Sequence, residues 1–159
     1  MLKTDLVITL ALLWMLTACG TAPRVGRGGD VSTPLSAAQA DAVTRHAVKL
    51  VGTPYRYGGN TPASGFDCSG LISYVYRTSA GVSTPRTVAG LNVWGQEVYG
   101  DQLRSGDIVL FAPRTAPTHA GIYVGSGRFV HAPSKGGEVR LENLSAKYWR
   151  AQHISFRRP

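Results

Sequence analysis

The stretch "GFDCSGLISYVY", residues 65–76, decides how the fold is read. An acid, a thiol and two small polar residues precede Leu71, Ile72, Val75 and Tyr76, which recur at helical spacing. The pattern predicts a helix from Cys68 to about Ala80, with Asp67 as its N-cap and Gly81 as its stop. Cys68 then stands in the first turn, beside free backbone N–H groups and the positive end of the helix dipole. That setting predicts a lowered thiol pKa and an available thiolate. A free cysteine is otherwise often a small buried hydrophobe. Here Cys68 lies outside the apolar stripe, at the polar entrance of the element.

Upstream, Ser36 and Gln39 have the spacing of a capping box, and Ala40, Val43, Ala47, Leu50 and Val51 follow at helical intervals before Gly52. The Pro/Gly-rich "TPYRYGGNTPASG" joins this helix to the next, and "RTVAGLNVW" after Pro85 reads as a short third helix. Beyond Gly100 the character changes. "GDIVLF", "HAGIYV", "GRFVHA", "GEVRLENL" and "AQHISFRR" are short runs rich in β-branched and aromatic residues, parted by Gly and Pro. Helices first and strands second argue for an α+β domain with an antiparallel sheet, not for alternating βαβ units.

The N-terminus begins with one lysine and an 11-residue, mainly apolar run from Leu6 to Leu16. That is too short to span a bilayer, where about 20 residues are needed, and it fits the core of a secretory signal. The following "LTAC" resembles the lipobox of bacterial lipoproteins, which implies a signal over 1–18, lipidation of Cys19 and anchoring to a membrane. Residues 19–35, rich in Gly, Pro, Ser and Thr, read as a flexible tether, and 36–159 as one domain. Two cysteines in an exported chain would ordinarily suggest a disulfide. With Cys19 assigned to lipid, Cys68 has no partner.

The chain has 17 Lys plus Arg against 9 Asp plus Glu, a net charge of +8. Such a domain is drawn to anionic polymers or lipid headgroups. Basic runs interleaved with aromatics are absent, and export also argues against nucleic acid.

A cysteine nucleophile needs a base and a group that orients it. Of the four histidines, His46 sits among Arg45 and Lys49 on the first helix and reads as a surface side chain. His153, near Ile154 and Phe156, reads as structural. His119 and His131 fall on one predicted hairpin, "HAGIYVGSGRFVHAP". With Gly125-Ser126-Gly127 as its loop, Val124 pairs with Arg128, His119 lies opposite Pro133, and His131 is its diagonal neighbour on the same face. A two-residue loop would put the histidines on opposite faces. In the first arrangement His119 takes the proton from Cys68, and His131 holds the His119 ring. One Cys and two His are also zinc ligands, but no CxxC, HExxH or nearby carboxylate completes such a site, so no metal or other cofactor is expected.

In this order, "TPYRYGG", "FDCSGLISYVY", "STPRT", "LRSGDIVLF", "HAGIYVG" and "FVHAP" resemble the NlpC-type bacterial cell-wall cysteine peptidases, over roughly 52–159. Among them the chain looks most like the small murein endopeptidase lipoproteins of the Spr type. The resemblance implies a papain-like fold and a Cys-His-His site, with Cys68 as nucleophile, His119 as base and His131 as orienting member. It implies an oxyanion role for Tyr55 (Tyr57 stands close by) and a substrate groove lined by Asp67, Ser69 and Arg86. Leu91 stands where the family often carries glutamine, a departure that touches substrate recognition and not the catalytic set. The function implied is that of a monomeric murein endopeptidase that hydrolyses stem-peptide or cross-bridge amides in peptidoglycan. Its place would be the envelope, with Gly20 compatible with outer-membrane sorting. A non-catalytic wall-binding or adaptor lipoprotein on the same fold is the alternative, and an acyltransferase or amidase a third reading.

Overall fold

Helix α1 (Ala37–Lys49) begins at a reciprocal capping box: the Ser36 side chain accepts from the Gln39 N–H, and the Gln39 side chain accepts from the Ser36 N–H. The computed structural model describes residues 34–134 and 137–159. The expected signal, Cys19 and most of the expected tether lie outside the described residues. Leu35, expected in the tether, is instead buried in the core, and its N–H reaches the carbonyl of Pro159. The packed domain therefore includes at least one residue ahead of Ser36.

A small hairpin, β1 (Asn60–Thr61) and β2 (Gly65–Phe66), leads into helix α2 (Cys68–Ala80). Asp67 caps α2, and Gly81 closes it in the left-handed region at φ 71°. These are the termini expected from the sequence, because both caps are local chemistry. Helix α3 (Val88–Asn92) is capped by Thr87.

The remaining elements are β3 (Gln96–Val98), β4 (Ile108–Ala112), β5 (His119–Gly125), β6 (Arg128–His131), β7 (Arg140–Asn143), α4 (Lys147–Arg150) and β8 (His153–Arg158). Among the described residues the strands from β3 onward form one antiparallel sheet in the order β3-β8-β4-β5-β6-β7. Strand β3 was not foreseen, since a three-residue edge with two exposed polar side chains has no readable period.

Strand β4 explains the layering. All five of its residues are buried, so it reads as a continuous apolar run and not as an alternation. Ile108 and Leu110 face the helices, packing with Leu71, Ile72, Val75, Ala120, Ile122 and Val130. Val109 and Phe111 face the other way, into a second cluster with Phe129 and Trp149. Each such aliphatic or aromatic side chain contributes roughly 1.5–3 kcal/mol by leaving water. The helices thus cover one face, and an aromatic cluster covers the other.

Candidate active site

Asp67 organises the mount of the thiol. One carboxylate oxygen accepts from the Gly70 N–H at 2.6 Å, and the other accepts from the Gly58 N–H at 2.9 Å. The Ser69 hydroxyl lies 3.1 Å from Asp67 and donates to the Arg86 carbonyl at 2.8 Å. The Arg86 guanidinium stands 3.6 Å from the same carboxylate. Gly70 is required by close approach: a Cβ there would sit 1.9 Å from the Gly59 carbonyl oxygen. The loop before α2 is therefore clamped directly over the helix's first turn.

Cys68 emerges from this mount partly buried. The N–H groups of Ser69, Ala120 and Cys68 itself all favour its thiolate. Ala120 follows His119, so the thiol meets the start of β5 one residue from that ring. Yet the thiol pKa is raised, first by burial and then by the Asp67 charge. The lowering expected from the helix N-terminus is overturned, because desolvation of the anion outweighs the backbone donors.

The two histidines do share a face, by a route other than the one expected. The loop is Ser126-Gly127, two residues with φ of 53° and 70°, the positive pair that a type I′ turn requires. Alone, it would have reversed the parity. A bulge at Val124 adds one residue to β5, so Gly125 pairs with Arg128 while Tyr123 pairs with Phe129 and Ile122 with Val130. Loop and bulge together restore the expected register. His119 Nε2 lies 2.8 Å from His131 Nδ1. Gly121 makes room for this contact, since a Cβ there would come within 2.9 Å of Phe129 and of the Val130 carbonyl.

His131 is completely buried. Its Nε2 lies 3.5 Å from one oxygen of Glu142, a long contact, and has no other partner among the described residues. The second Glu142 oxygen accepts from the indole N–H of Trp149. Trp149 stacks on His119 with ring centroids 5.5 Å apart. Burial, aided by the neighbouring His131, pushes the His119 pKa down to about 3. Burial also lowers that of His131, with Glu142 opposing and Arg140 reinforcing the shift. Both rings are therefore neutral near pH 7.

The NlpC/P60 family profile matches residues 52–158. The chain belongs to the NlpC/P60 family. It is 40% identical over 118 residues to the gamma-DL-glutamyl hydrolase of Bacillus subtilis (strain 168), covering 73% of this chain and 28% of that protein. It is 37% identical over 115 residues to the murein DD-endopeptidase MepH of Escherichia coli (strain K12), covering 70% of this chain and 42% of that protein. The chain thus spans less than half the length of either relative. The solved NlpC/p60 domain of the peptidoglycan hydrolase SagA matches with a TM-score of 0.64 at 30% identity, over 73% of this chain and 96% of that one. The α+β arrangement is the papain-like one of this family.

Within the NlpC/P60 domain, the other expected residues divide. Tyr55 is half-buried against the core, and its hydroxyl pKa is raised by burial, then by Asp67 and Cys68, which places it near the thiol. Tyr57 is 90% exposed. Arg86 reaches Asp67 from a partly exposed position, whereas Ser69 is buried in the first turn of α2 and donates to the Arg86 carbonyl, so its side chain faces inward and not a groove surface. Leu91 is fully buried in the core. His46 is not a plain surface side chain: its Nδ1 lies 2.8 Å from the Ser79 hydroxyl, linking α1 to α2. His153 is an exposed strand residue. A cleft of about 500 Å³ opens on the other side of the histidines, lined by His119, His131, Glu142, Tyr148 and Trp149 among others. Glu142 and Trp149 were missed. Glu142 lies in a strand with mixed exposure, and only a β6–β7 register would have pointed to it. Among the described residues no three His, Cys, Asp or Glu side chains are grouped to hold a metal ion.

Proposed function

We propose that this NlpC/P60 domain hydrolyses amide bonds in peptidoglycan stem peptides or cross-bridges, with Cys68 as nucleophile, His119 as base and His131 as its orienting partner. The observation that carries this is the convergence of a helix-mounted thiol, the Ala120 N–H beside it and the 2.8 Å His119–His131 contact. The named activities of the relatives support the substrate class.

His119 Nε2 is engaged by His131, which leaves Nδ1 as the basic nitrogen. The raised thiol pKa and depressed imidazole pKa mean that thiol and neutral ring are the resting pair. As the thiol attacks the amide carbon, its proton passes to His119 Nδ1, and the carbonyl oxygen becomes an oxyanion. In this reading the Cys68 N–H and the Tyr55 hydroxyl stabilise that charge. Collapse expels the amine, which takes the proton from His119, and leaves a Cys68 thioester. Water, deprotonated by the same ring, then hydrolyses the thioester. In this reading Asp67 and Arg86, which stand 3.6 Å apart, meet the charged groups of a stem peptide.

The "LTAC" sequence supports lipidation at Cys19. With the cell-wall names of the relatives, it supports an envelope location; in this reading the protein is a monomer, and Gly20 after Cys19 is compatible with an anchor at the outer membrane facing the periplasm. Among the described residues no helix is long and apolar enough to cross a membrane.

The test is incubation of the mature protein and its Cys68→Ala variant with purified peptidoglycan, with mass spectrometry of soluble fragments. Wild type is expected to release muropeptides, and the variant only the level of a buffer blank. The masses distinguish D-Ala–diaminopimelate from γ-D-Glu–diaminopimelate cleavage. Equal background from both proteins would reject the peptidase reading and leave a wall-binding role.

A further inference from the structure

Three neighbouring strands carry a continuous polar line across one face of the sheet. His119 lies on β5, His131 on β6 and Glu142 on β7. His131 pairs with Arg140 and Phe129 with Glu142, so Glu142 is the diagonal neighbour of His131 on the side away from His119. We propose that Glu142 is a positioning residue that sets the tautomer of both histidines, and that Trp149 fixes the direction of that control. The catalytic consequence rests on the peptidase reading; the tautomers do not.

The argument is one of donors and acceptors. A carboxylate only accepts, and at 3.5 Å Glu142 is the polar group that faces the otherwise unpartnered His131 Nε2 among the described residues, so its charge favours the proton on that nitrogen: Nε2–H. A neutral ring has one N–H, so His131 Nδ1 is a lone pair. At 2.8 Å from that lone pair, His119 Nε2 must be the donor. His119 Nδ1 is then unprotonated, which is the form needed to receive the thiol proton. A carboxylate two strands away thus decides whether the base is a base. The groups facing the pair are Arg140 and Glu142 from β7 and the Trp149 indole.

Trp149 makes the arrangement directional. Its indole N–H can only donate, and it donates to Glu142. In a Glu142→Gln variant the amide oxygen must stay toward Trp149, which turns the amide NH₂ toward His131. His131 Nε2 would then accept, Nδ1 would carry the proton and donate to His119 Nε2, and the His119 proton would move to Nδ1, facing the thiol. One oxygen-to-NH₂ change reverses the whole line.

The test is long-range ¹H–¹⁵N correlation on the ¹⁵N-histidine-labelled full chain at pH 7. Wild type is expected to show Nε2–H for both His119 and His131, and Glu142→Gln to show Nδ1–H for both. Peptidoglycan turnover should fall on the order of 10⁴-fold, as when an acid-to-amide change imposes the wrong tautomer on a catalytic imidazole. Adding Trp149→Phe frees the amide to rotate, and Nε2–H should return in the double variant. An Nδ1–H His131 in wild type, or unchanged tautomers in Glu142→Gln, would overturn the proposal. An unchanged Nδ1–H in the double variant would remove Trp149 from it. The wild-type assignment decides the central point even if a variant fails to fold. If wild type releases no fragments yet its tautomers follow Glu142, the peptidase reading falls and this one stands.

Discussion

At Cys68, two opposing effects have a clear winner. A helix N-terminus lowers a thiol pKa, and that much is legible in "FDCSG". Burial and a negative neighbour raise it, and they prevail. The sequence names the Asp67 neighbour but not the depth at which the thiol sits, so the sign was beyond it. Asp67 therefore acts twice, capping the helix and holding the thiol protonated. An Asp67→Asn variant separates the two roles. It keeps one acceptor for Gly70 but leaves the Gly58 N–H without its partner, costing about 1 kcal/mol. Removing the charge takes away one of the causes that raise the thiol pKa, so iodoacetamide alkylation of Cys68 at pH 8 should speed up. An unchanged rate would show that the Asp67 charge does not govern the thiol. The oxyanion candidate was similarly ambiguous between Tyr55 and Tyr57, and only burial separates them.

Among the elements, the helices were readable because caps and apolar stripes are local. The β5–β6 hairpin was only half readable. Its strands follow from the sequence, but the register stood open between a three- and a two-residue loop; the loop is the shorter one, and the bulge that compensates leaves no simple mark in "IYVGSG". The physical link is parity: each residue gained or lost in a strand turns every side chain beyond it to the other face. Deleting Val124 should remove the bulge and leave Gly125 opposite Arg128, Tyr123 opposite Phe129 and His119 on the face of His131. Activity is therefore expected to stay close to wild type. Inserting one alanine between Phe129 and Val130 should instead turn His131 to the other face and lower activity to the level of Cys68→Ala. Loss of activity in the deletion, or its retention in the insertion, would show that parity does not set the His119–His131 contact. Strand β7 is the other blind spot, because Glu142 gains meaning only when three strands are laid side by side.

Over the whole molecule, the neutral histidines tie stability to pH. An exposed imidazole has a pKa of 6.5, whereas His119 is held at about 3. Above pH 6.5 the stability is fully present. As the pH falls from 6.5 toward 3, the unfolded chain binds a proton that the folded chain refuses. Stability is lost by up to about 1.4 kcal/mol per pH unit for this one ring. His131 shifts in the same direction. Urea unfolding midpoints measured from pH 7 to pH 4 should fall steeply in wild type and less steeply in His119→Gln. Parallel slopes would show that the His119 ring is not the source. The α+β layering was readable in chain order alone, and Cys68, His119 and His131 stood out there as candidates. The carboxylate behind them and the clamp of loop onto helix were not, because both arise from contacts between distant segments.

The quiet state of Cys68 has a further consequence. Hydrogen peroxide and disulfides react with the thiolate and hardly at all with the thiol, so oxidation to sulfenic acid follows thiolate content and exposure. A partly buried thiol held protonated beside Asp67 presents little of either. The features that hold the thiol protonated should therefore also slow its oxidation, so that Cys68 resists peroxide better than an exposed thiol would.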